Sequence, residues 1–326
     1  RSGGCRNLRF TAVYGLNPLT LSGANTYSGI TSINNGVLVI SSDGNLGEAP
    51  GSATADSLVL NGGTLQTTAN FSLNANRSIS LGANGGTFLL NSSTLTYAGG
   101  IAGTGNLTKT GSGTLTLSGA NTFSGITTIK SGNLSISSDS NLGAAPSSAT
   151  AGKLVLDGGT LLTTANLTLD ANRGVTLNGS LGGTFNQNAN TTLTHAGVID
   201  GTGKLIKAGQ GTLVLSGTNT FSGVTSINNG VLSISSDRNL GVVPGIATTG
   251  SLVLNGGTLQ ATANFTLYAN RGVALNSSIA FITVDPSVEL NYAGVVAGSN
   301  KLQKDGSGTL TLSGNNSYTG GTIIHR

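Results

Sequence analysis

Acidic side chains are the first candidates for chemistry, because a pair of carboxylates at a defined separation is the minimum needed to hydrolyse a glycosidic bond. The sequence contains 11 of them, at Asp43, Glu48, Asp56, Asp139, Asp157, Asp170, Asp200, Asp237, Asp285, Glu289 and Asp305. Three of these, Asp43, Asp139 and Asp237, follow a Ser-Ser pair at one position of an internal repeat. Such recurrence is typical of turn and cap residues. We therefore predict no catalytic residue.

One segment keeps an enzymatic alternative open. Residues 281–289 contain Asp285 and Glu289, and they replace the sequence found at the same repeat position around Thr184–Gln187. This is the one place where acids coincide with residues that the repeat does not share. A polysaccharide-active β-helix enzyme is therefore the alternative hypothesis. The same segment is also expected to change the direction of one coil locally.

Histidine and cysteine are too few for a metal site. The chain has two histidines and one cysteine, Cys5, which has no partner for an internal disulfide. His195 stands where the other copies have Tyr97 and Tyr292, so we expect a large side chain that packs on a coil surface. His325 lies at the end of the sequence. We predict no metal ligands and no cofactor.

Basic residues recur once per repeat. Arg77, Arg173 and Arg271 end Ala-Asn-Arg triplets, and Lys109, Lys207 and Lys304 share another position. Such rows could bind an anionic polysaccharide, but their predicted ~20 Å spacing exceeds the ~8 Å Debye length. We therefore expect each charge to act singly and to pair with a nearby turn aspartate. No basic run or aromatic cluster indicates nucleic-acid binding.

Composition indicates an ordered chain. Of 326 residues, 8% are charged, 52 are glycine, 5 are proline and none is methionine, and the net charge is +4. Weak self-repulsion and a mean hydropathy of +0.14 favour collapse over disorder. Neither a secretory signal, a transmembrane run nor a membrane-barrel pattern is visible. We expect any export signal or anchoring barrel to lie outside this chain.

A long repeat organises the sequence and positions all of these residues. Leu19–Gly29 recurs as Leu115–Gly125, Leu213–Gly223 and Leu310–Gly320, at intervals of about 97 residues. We predict one β-helical repeat domain over residues 19–326. Its copies are 19–114, 115–212 and 213–309, followed by the start of a fourth at 310–326, while residues 1–18 form a degenerate or junction segment.

Within each copy, short runs alternate apolar and polar residues. Leu115-Thr-Leu117 and Leu134-Ser-Ile136 have the period of two that indicates half-buried strands, and Ser135, like Ser233 and Val39 in the other copies, is expected to face outward. Asn-Gly and Gly-Gly corners separate these runs. A sandwich or barrel would need hairpins, whereas the fixed recurrence favours stacked coils. We predict an all-β, single-stranded, right-handed parallel β-helix forming a rod of roughly 65–75 Å.

The segment from Lys109 to Ile129, followed by Gly132–Ile136, resembles the autotransporter-associated β-strand repeat, and it recurs from Lys207 and from Lys304. That family occurs in passenger regions of proteins exported through the outer membrane of Gram-negative bacteria. The resemblance implies a β-helical passenger, displayed at the cell surface or released, that often mediates adhesion or self-association.

The leading hypothesis is therefore a structural or adhesive passenger rod without enzymatic activity. Its expected partners are a host or matrix surface, glycans or a second copy of itself, with no nucleic acid and with membrane attachment only through a barrel outside this chain. Ice binding is disfavoured, because the adjacent pairs Thr127-Thr128 and Thr191-Thr192 do not keep a Thr-x-Thr register.

Overall fold

Short parallel strands and sharp corners form two compact units. The computed structural model describes residues 10, 11 and 17–325. One unit contains the described residues up to 145 together with 153–155, and the other contains 146–152 and the described residues from 156 onward. Cys5 and most of the predicted junction 1–18 lie outside the described residues.

The strands of the first half of the chain are β1 Phe10–Thr11, β2 Leu19–Leu21, β3 Thr31–Ile40, β4 Thr54–Thr67, β5 Phe71–Leu73, β6 Arg77–Leu81, β7 Gly86–Leu90, β8 Thr94–Tyr97, β9 Ile101–Gly103, β10 Leu107–Thr110, β11 Thr114–Leu117, β12 Thr127–Ile129, β13 Asn133–Ile136 and β14 Thr150–Leu156.

The strands that follow are β15 Thr160–Thr163, β16 Leu167–Leu169, β17 Arg173–Leu177, β18 Gly183–Gln187, β19 Thr192–His195, β20 Ile199–Gly201, β21 Leu205–Ala208, β22 Thr212–Leu215, β23 Thr225–Ile227, β24 Val231–Ile234, β25 Leu252–Leu254, β26 Thr258–Ala261, β27 Phe265–Leu267, β28 Val273–Leu275, β29 Ile279–Val284, β30 Glu289–Tyr292, β31 Val296–Ala297, β32 Lys301–Asp305, β33 Thr309–Leu312 and β34 Thr322–Ile324. Three 3-10 helices interrupt them: η1 Asp43–Leu46, η2 Asp139–Leu142 and η3 Asp237–Leu240.

Each strand pairs in parallel with strands from neighbouring coils, which confirms the predicted stacking. In the first unit β11 lies between β8 and β13, and Leu115 is in register with Leu95 and Leu134. These three leucines are fully buried. No antiparallel pair occurs among the described strands within either unit, so the hairpins of a sandwich or barrel are not present there. The fold is an all-β parallel β-solenoid.

The second unit is built in the same way. Strands β19, β22, β24, β26 and β29 stack in sequence, and they align Leu193, Leu213, Leu232, Leu259 and Ile282 in one column. The exposure of these side chains is 3% or less. The continuous aliphatic column provides a hydrophobic core that a single coil cannot form, because each coil buries its apolar face only against its neighbours.

Corners depend on glycine at a few crowded positions. Gly103 ends β9 with φ at +107°, and a Cβ there would lie 2.1 Å from the carbonyl oxygen of Leu81 on the neighbouring coil. Gly201 repeats this arrangement in the second unit, against the carbonyl oxygen of Leu177. Only glycine satisfies both the left-handed backbone and the close stacking.

The prediction that Ser135, Ser233 and Val39 face solvent is wrong. Their exposure is 4%, 5% and 9%. Each is separated by one isoleucine from the Ser-Ser pair that leads into a 3-10 helix, and η1 and η2 contact the strand that precedes them. The alternation therefore fails at the end of these strands, because both of their faces are covered there.

The segment that departs from the repeat remains part of the stack. β29, which covers Ile279–Val284, pairs with β26 on one side and β32 on the other. It has six residues, whereas β18 at the equivalent position has five. The unusual sequence lengthens a strand without leaving the ladder.

Candidate functional site

The two acids of the enzymatic alternative are engaged in separate local contacts. The Asp285 carboxylate accepts a hydrogen bond from Gln260 Nε2 at 2.7 Å. The backbone N–H of Glu289 donates to Asn264 Oδ1 at 2.8 Å, and the Glu289 side chain is exposed. Neither residue lines any of the grooves described below. Asp285 directly follows β29, and Glu289 begins β30.

The recurring aspartates do begin 3-10 helices, and two of them pair with the recurring arginines. Arg77 Nε and Nη2 donate to the two carboxylate oxygens of Asp43, each at 3.1 Å. Arg271 makes the same pair with Asp237, at 2.9 and 3.0 Å. The prediction that these arginines pair with a turn aspartate is confirmed, and the planar fork of the guanidinium explains why arginine occupies the position.

Backbone carbonyls complete the environment of each guanidinium. Arg271 Nη1 donates to Leu240 O at 3.0 Å, and Nη2 also donates to Gly241 O at 3.1 Å. Arg77 repeats both contacts in the first unit with Leu46 O and Gly47 O. Arg77, Arg173 and Arg271 are all buried. They therefore present no basic row for an anionic polysaccharide.

The recurring lysines are also buried, but among the described residues they bind backbone carbonyls and do not pair with aspartate as predicted. Lys109 Nζ donates to three carbonyl oxygens, those of Thr110, Gly111 and Ser131, at 2.8 to 3.2 Å. Lys207 Nζ does the same with Ala208, Gly209 and Asn229. The partners come from two successive coils, so the ammonium closes a corner of the stack. Lys304, which is 8% exposed, donates to Gly306 O.

Desolvation changes the acid–base behaviour of these lysines. Burial lowers the pKa of Lys109 to about 8, from an ordinary value of 10.5. Burial lowers the pKa of Lys207 equally, to about 8. Carbonyl dipoles offset only part of the loss of water around an ammonium ion.

The position shared by His195, Tyr97 and Tyr292 lies inside the coil rather than on its surface. All three side chains are buried. Tyr97 Oη donates towards Arg77 O and Gly100 O, both at 3.0 Å. Burial raises the pKa of Tyr97 and of Tyr292 to about 12. The expectation of a packing residue holds, with the correction that its packing is internal. Among the residues described, no group of three His, Cys, Asp or Glu side chains could hold a metal ion.

The recurring aromatic position, two residues after an asparagine in each copy, is buried to different degrees. Phe123 and Phe221 are fully buried, whereas Tyr27 and Tyr318 are half-buried. Tyr27 Oη lies 3.0 Å from Thr31 Oγ1. The aromatic side chains at this position therefore pack in the coils.

Surface grooves lie beside the loops that follow the 3-10 helices. The first loop groove, in the first unit, has a volume of about 330 Å³ and is lined by residues that include Ile30, Glu48, Pro50 and Ser57. The second loop groove, in the second unit, has a volume of about 430 Å³ and occupies the equivalent place in the repeat. Its lining residues include Val224, Val242, Val243, Pro244 and Ser251.

Neither loop groove was predicted from the sequence. Both arise because the coil that contains a 3-10 helix is longer than its neighbours, so a loop stands out from the stack. The sequence carries a signal for the difference between the two linings, since Gly-Val-Val-Pro in one copy replaces Gly-Glu-Ala-Pro in another. The lining of the first groove includes the charged residues Glu48 and Arg77, whereas the second has no charged side chain in its lining.

Parallel strands that stack coil on coil, with buried charges that bind backbone carbonyls and aspartates, define a β-solenoid. The chain matches the family model described as passenger-associated-transport-repeat at residues 18–40, 107–136, 205–234 and 302–325. The chain therefore carries this repeat in four segments.

The chain is also similar to "Adhesin BmaC autotransporter" of Brucella suis biovar 1 (strain 1330), with 35% identity over 429 aligned residues. The alignment covers 95% of this chain and 12% of the relative, so the chain spans a small part of that protein's length. No solved structure matches the chain. Within the described residues, no helix has the length and hydropathy needed to cross a membrane.

Proposed function

We propose that the chain is a structural and adhesive segment of an autotransporter passenger, displayed on or released from the surface of a Gram-negative bacterium. It would attach cells to a host or matrix surface, to glycans or to one another. The similarity to an autotransporter adhesin across 95% of the chain supports this role. The outer face of the coils supplies a physical basis for it.

The observation that carries the proposal is a ladder of threonines in the first unit. Thr64, Thr87, Thr108 and Thr128 are in register on four successive strands, β4, β7, β10 and β12. Each is partly exposed. Stacked strands lie ~4.8 Å apart, so the ladder presents hydroxyl groups at a regular spacing. Many weak hydrogen bonds of this kind add up when two surfaces present arrays of them.

The test is to display the chain on a non-adherent bacterium and to measure attachment to matrix-coated surfaces and cell–cell aggregation. Thr108→Lys places a charge in the middle of the ladder and should reduce attachment. Ser112→Lys adds the same charge at an exposed turn and should not. If displayed wild-type chain causes neither attachment nor aggregation, the adhesive role is wrong.

The same proposal includes the absence of enzymatic activity. The local contacts of Asp285 and Glu289 support it, as does the burial of the recurring arginines and lysines. Purified chain should release no sugar ends from polyuronates or other glycans. Release that Asp285→Asn abolishes would establish the polysaccharide-active alternative instead.

The winding of the coils is also proposed. We infer a single-stranded, right-handed β-helix whose repeat domain covers residues 19–326 in copies of about 97 residues, because crossovers between parallel strands are right-handed in about 98% of cases. Residues 1–18 would then be a junction. An experimental structure with left-handed coils or with intertwined chains would contradict this winding.

A further inference from the structure

Gly230 lies at a corner of the second unit, and its backbone N–H is directed at the side chain of the residue before it. The Gly230 N–H donates to Asn229 Oδ1 at 2.8 Å. Because a C=O bond is ~1.23 Å long, the Gly230 nitrogen lies within about 4 Å of Asn229 Cγ. Asn229 is exposed, so water reaches it. This nitrogen and this carbon are the two atoms that must join to close a succinimide ring.

The peptide group that joins Asn229 to Gly230 also binds a buried ammonium ion. Lys207 Nζ donates to the carbonyl oxygen of Asn229 at 3.1 Å. Removing the proton from a peptide nitrogen places part of the negative charge on the carbonyl oxygen, because the two atoms share electrons by resonance. A cation already fixed at that oxygen stabilises the developing charge. The Lys207 ammonium therefore makes the Gly230 nitrogen a better nucleophile.

The internal repeat separates what packing requires at this corner from what it leaves free. Glycine is required at Gly230, where φ is +62° and a Cβ would lie 2.3 Å from a carbonyl oxygen of the neighbouring coil. Gly132, at the equivalent place, is equally crowded. The residue before it is Ser131, whose carbonyl oxygen accepts a hydrogen bond from Lys109 Nζ at 3.2 Å. The corner therefore forms without an asparagine, and the side-chain amide of Asn229 is not needed for the fold.

Other asparagines that precede glycine hold their side chains differently. Asn61 Oδ1 accepts a hydrogen bond from the backbone N–H of Asn84 at 3.0 Å. Asn255 Nδ2 donates to Asn228 Oδ1 at 3.3 Å. At both sites a contact with another residue must break before the side chain can reach the following nitrogen. They are therefore matched controls within the same chain.

We propose that Asn229 is a site of spontaneous deamidation that converts it mainly to isoaspartate. The Gly230 nitrogen attacks Asn229 Cγ, so a C–N bond forms and the bond from Cγ to Nδ2 breaks. The proton that the Gly230 nitrogen loses leaves with Nδ2 as ammonia. Water then adds to the ring at the former main-chain carbonyl carbon of Asn229. The bond from that carbon to the Gly230 nitrogen breaks, a proton of the water passes to the nitrogen, and Cγ stays joined to it.

Lys207 determines which carbonyl of the ring is opened. Its Nζ lies at the oxygen of the former main-chain carbonyl, so it polarises that carbon towards attack by water. Opening there makes this oxygen part of a carboxylate beside the ammonium. The partners of Lys207 Nζ among the described residues are carbonyl oxygens, so the product gives a buried cation an opposite charge, which favours isoaspartate over aspartate. This modification is independent of the adhesive role.

Incubation of the purified chain in neutral buffer, followed by peptide mapping with electron-transfer fragmentation, tests the site and distinguishes isoaspartate from aspartate. We expect Asn229 to be converted at least about tenfold faster than Asn61, equivalent to ~1.4 kcal/mol in the barrier. The folded chain should also give a higher proportion of isoaspartate at this position than the same chain unfolded in guanidinium chloride. Asn229→Ser gives this corner the serine of the second copy, so it should fold normally and remain unmodified here.

Two further variants isolate the contribution of the lysine. Lys207→Met should lower both the rate of conversion of Asn229 and its isoaspartate fraction, with circular dichroism to check the fold. Because removing a buried lysine also weakens the corner, Ser131→Asn provides a second measurement. It places an asparagine at the corner that Lys109 binds, and the new asparagine should be converted as Asn229 is.

Three results would overturn the proposal. The first is conversion of Asn229 no faster than that of Asn61. The second is the same ratio of isoaspartate to aspartate in the folded and the unfolded chain. The third is an unreactive asparagine in the Ser131→Asn variant, or an unchanged rate and product ratio in folded Lys207→Met.

Discussion

Arg271 donates hydrogen bonds to both carboxylate oxygens of Asp237, a residue 34 positions earlier in the chain. The side chains of this pair are only 2% and 4% exposed. The pair therefore joins one coil to the 3-10 helix of another with charges that are removed from water. The guanidinium groups of Arg77 and Arg271 each donate two further hydrogen bonds to backbone carbonyl oxygens, so the arrangement is the same in both units.

Removing the arginine should be strongly destabilising. Arg271→Met leaves Asp237 buried without its cation, and breaking a buried pair in this way costs about 3–5 kcal/mol. Arg77→Met is the matched control, because the Asp43 side chain is 22% exposed and keeps some contact with water. Urea unfolding and hydrogen exchange at residues 237–241 should show the larger loss for Arg271→Met. Equal losses at both sites would show that burial of the carboxylate does not decide the cost.

The buried lysines predict that stability rises in mildly alkaline solution. The folded pKa of Lys109 and Lys207 is about 8, below the ordinary 10.5, so between these values the unfolded chain binds more protons. Stability then increases with pH over that window. The free energy of unfolding, measured from pH 7 to 10, should rise in wild type and rise less in Lys207→Met. A flat wild-type profile would contradict the desolvation argument.

The buried tyrosines predict the opposite trend at higher pH. Tyr97 and Tyr292 have a folded pKa of about 12, above the ordinary 10.0, so the unfolded chain loses its protons first. Their contribution to stability is complete below pH 10 and is lost as the pH rises towards 12. Tyr292→Phe should weaken this fall in the unfolding profile. A variant with an unchanged profile would exclude Tyr292 as its source.

The register of β11 predicts different effects at adjacent positions. Leu117 is 2% exposed and is in register with Tyr97 and Ile136, whereas Thr116 is partly exposed. Leu117→Asp places a charge in the aliphatic column and should cost several kcal/mol. Thr116→Asp should cost far less. Thermal unfolding compares the two variants, and equal effects would mean that the faces are assigned wrongly.

The crowded corners predict that replacing glycine by alanine changes stability at one corner and not at an open position. Gly103→Ala combines a positive φ with a Cβ only 2.1 Å from a carbonyl oxygen, so we expect a loss of about 1–3 kcal/mol. Gly51→Ala is the control, since a Cβ there has no atom within 4 Å. Urea unfolding should show little change for the control. A tolerated Gly103→Ala would mean that the coils can separate at this corner without loss.

The sequence by itself determined which alternating aliphatic residues face the interior of the coils. The alternation at Leu115 and Leu117 indicates one buried face, because side chains in a strand point to opposite sides in turn. Recurrence of the same segment indicates stacking on neighbouring coils, and the pairing of Arg77 and Arg271 with turn aspartates was predicted from their shared positions. These are local or periodic features, and a single sequence displays them directly.

Only the tertiary structure decided where the charged and polar groups end up. The three carbonyls around Lys207 Nζ belong to Ala208, Gly209 and Asn229. No local sequence pattern predicts that the Asn229 carbonyl lies beside those of Ala208 and Gly209. The burial of Ser135 and the second loop groove likewise depend on a 3-10 helix and loop folding beside a strand. Such contacts form between residues that stacking makes neighbours, so a charge that looks solvent-facing in the sequence can lie inside the coil.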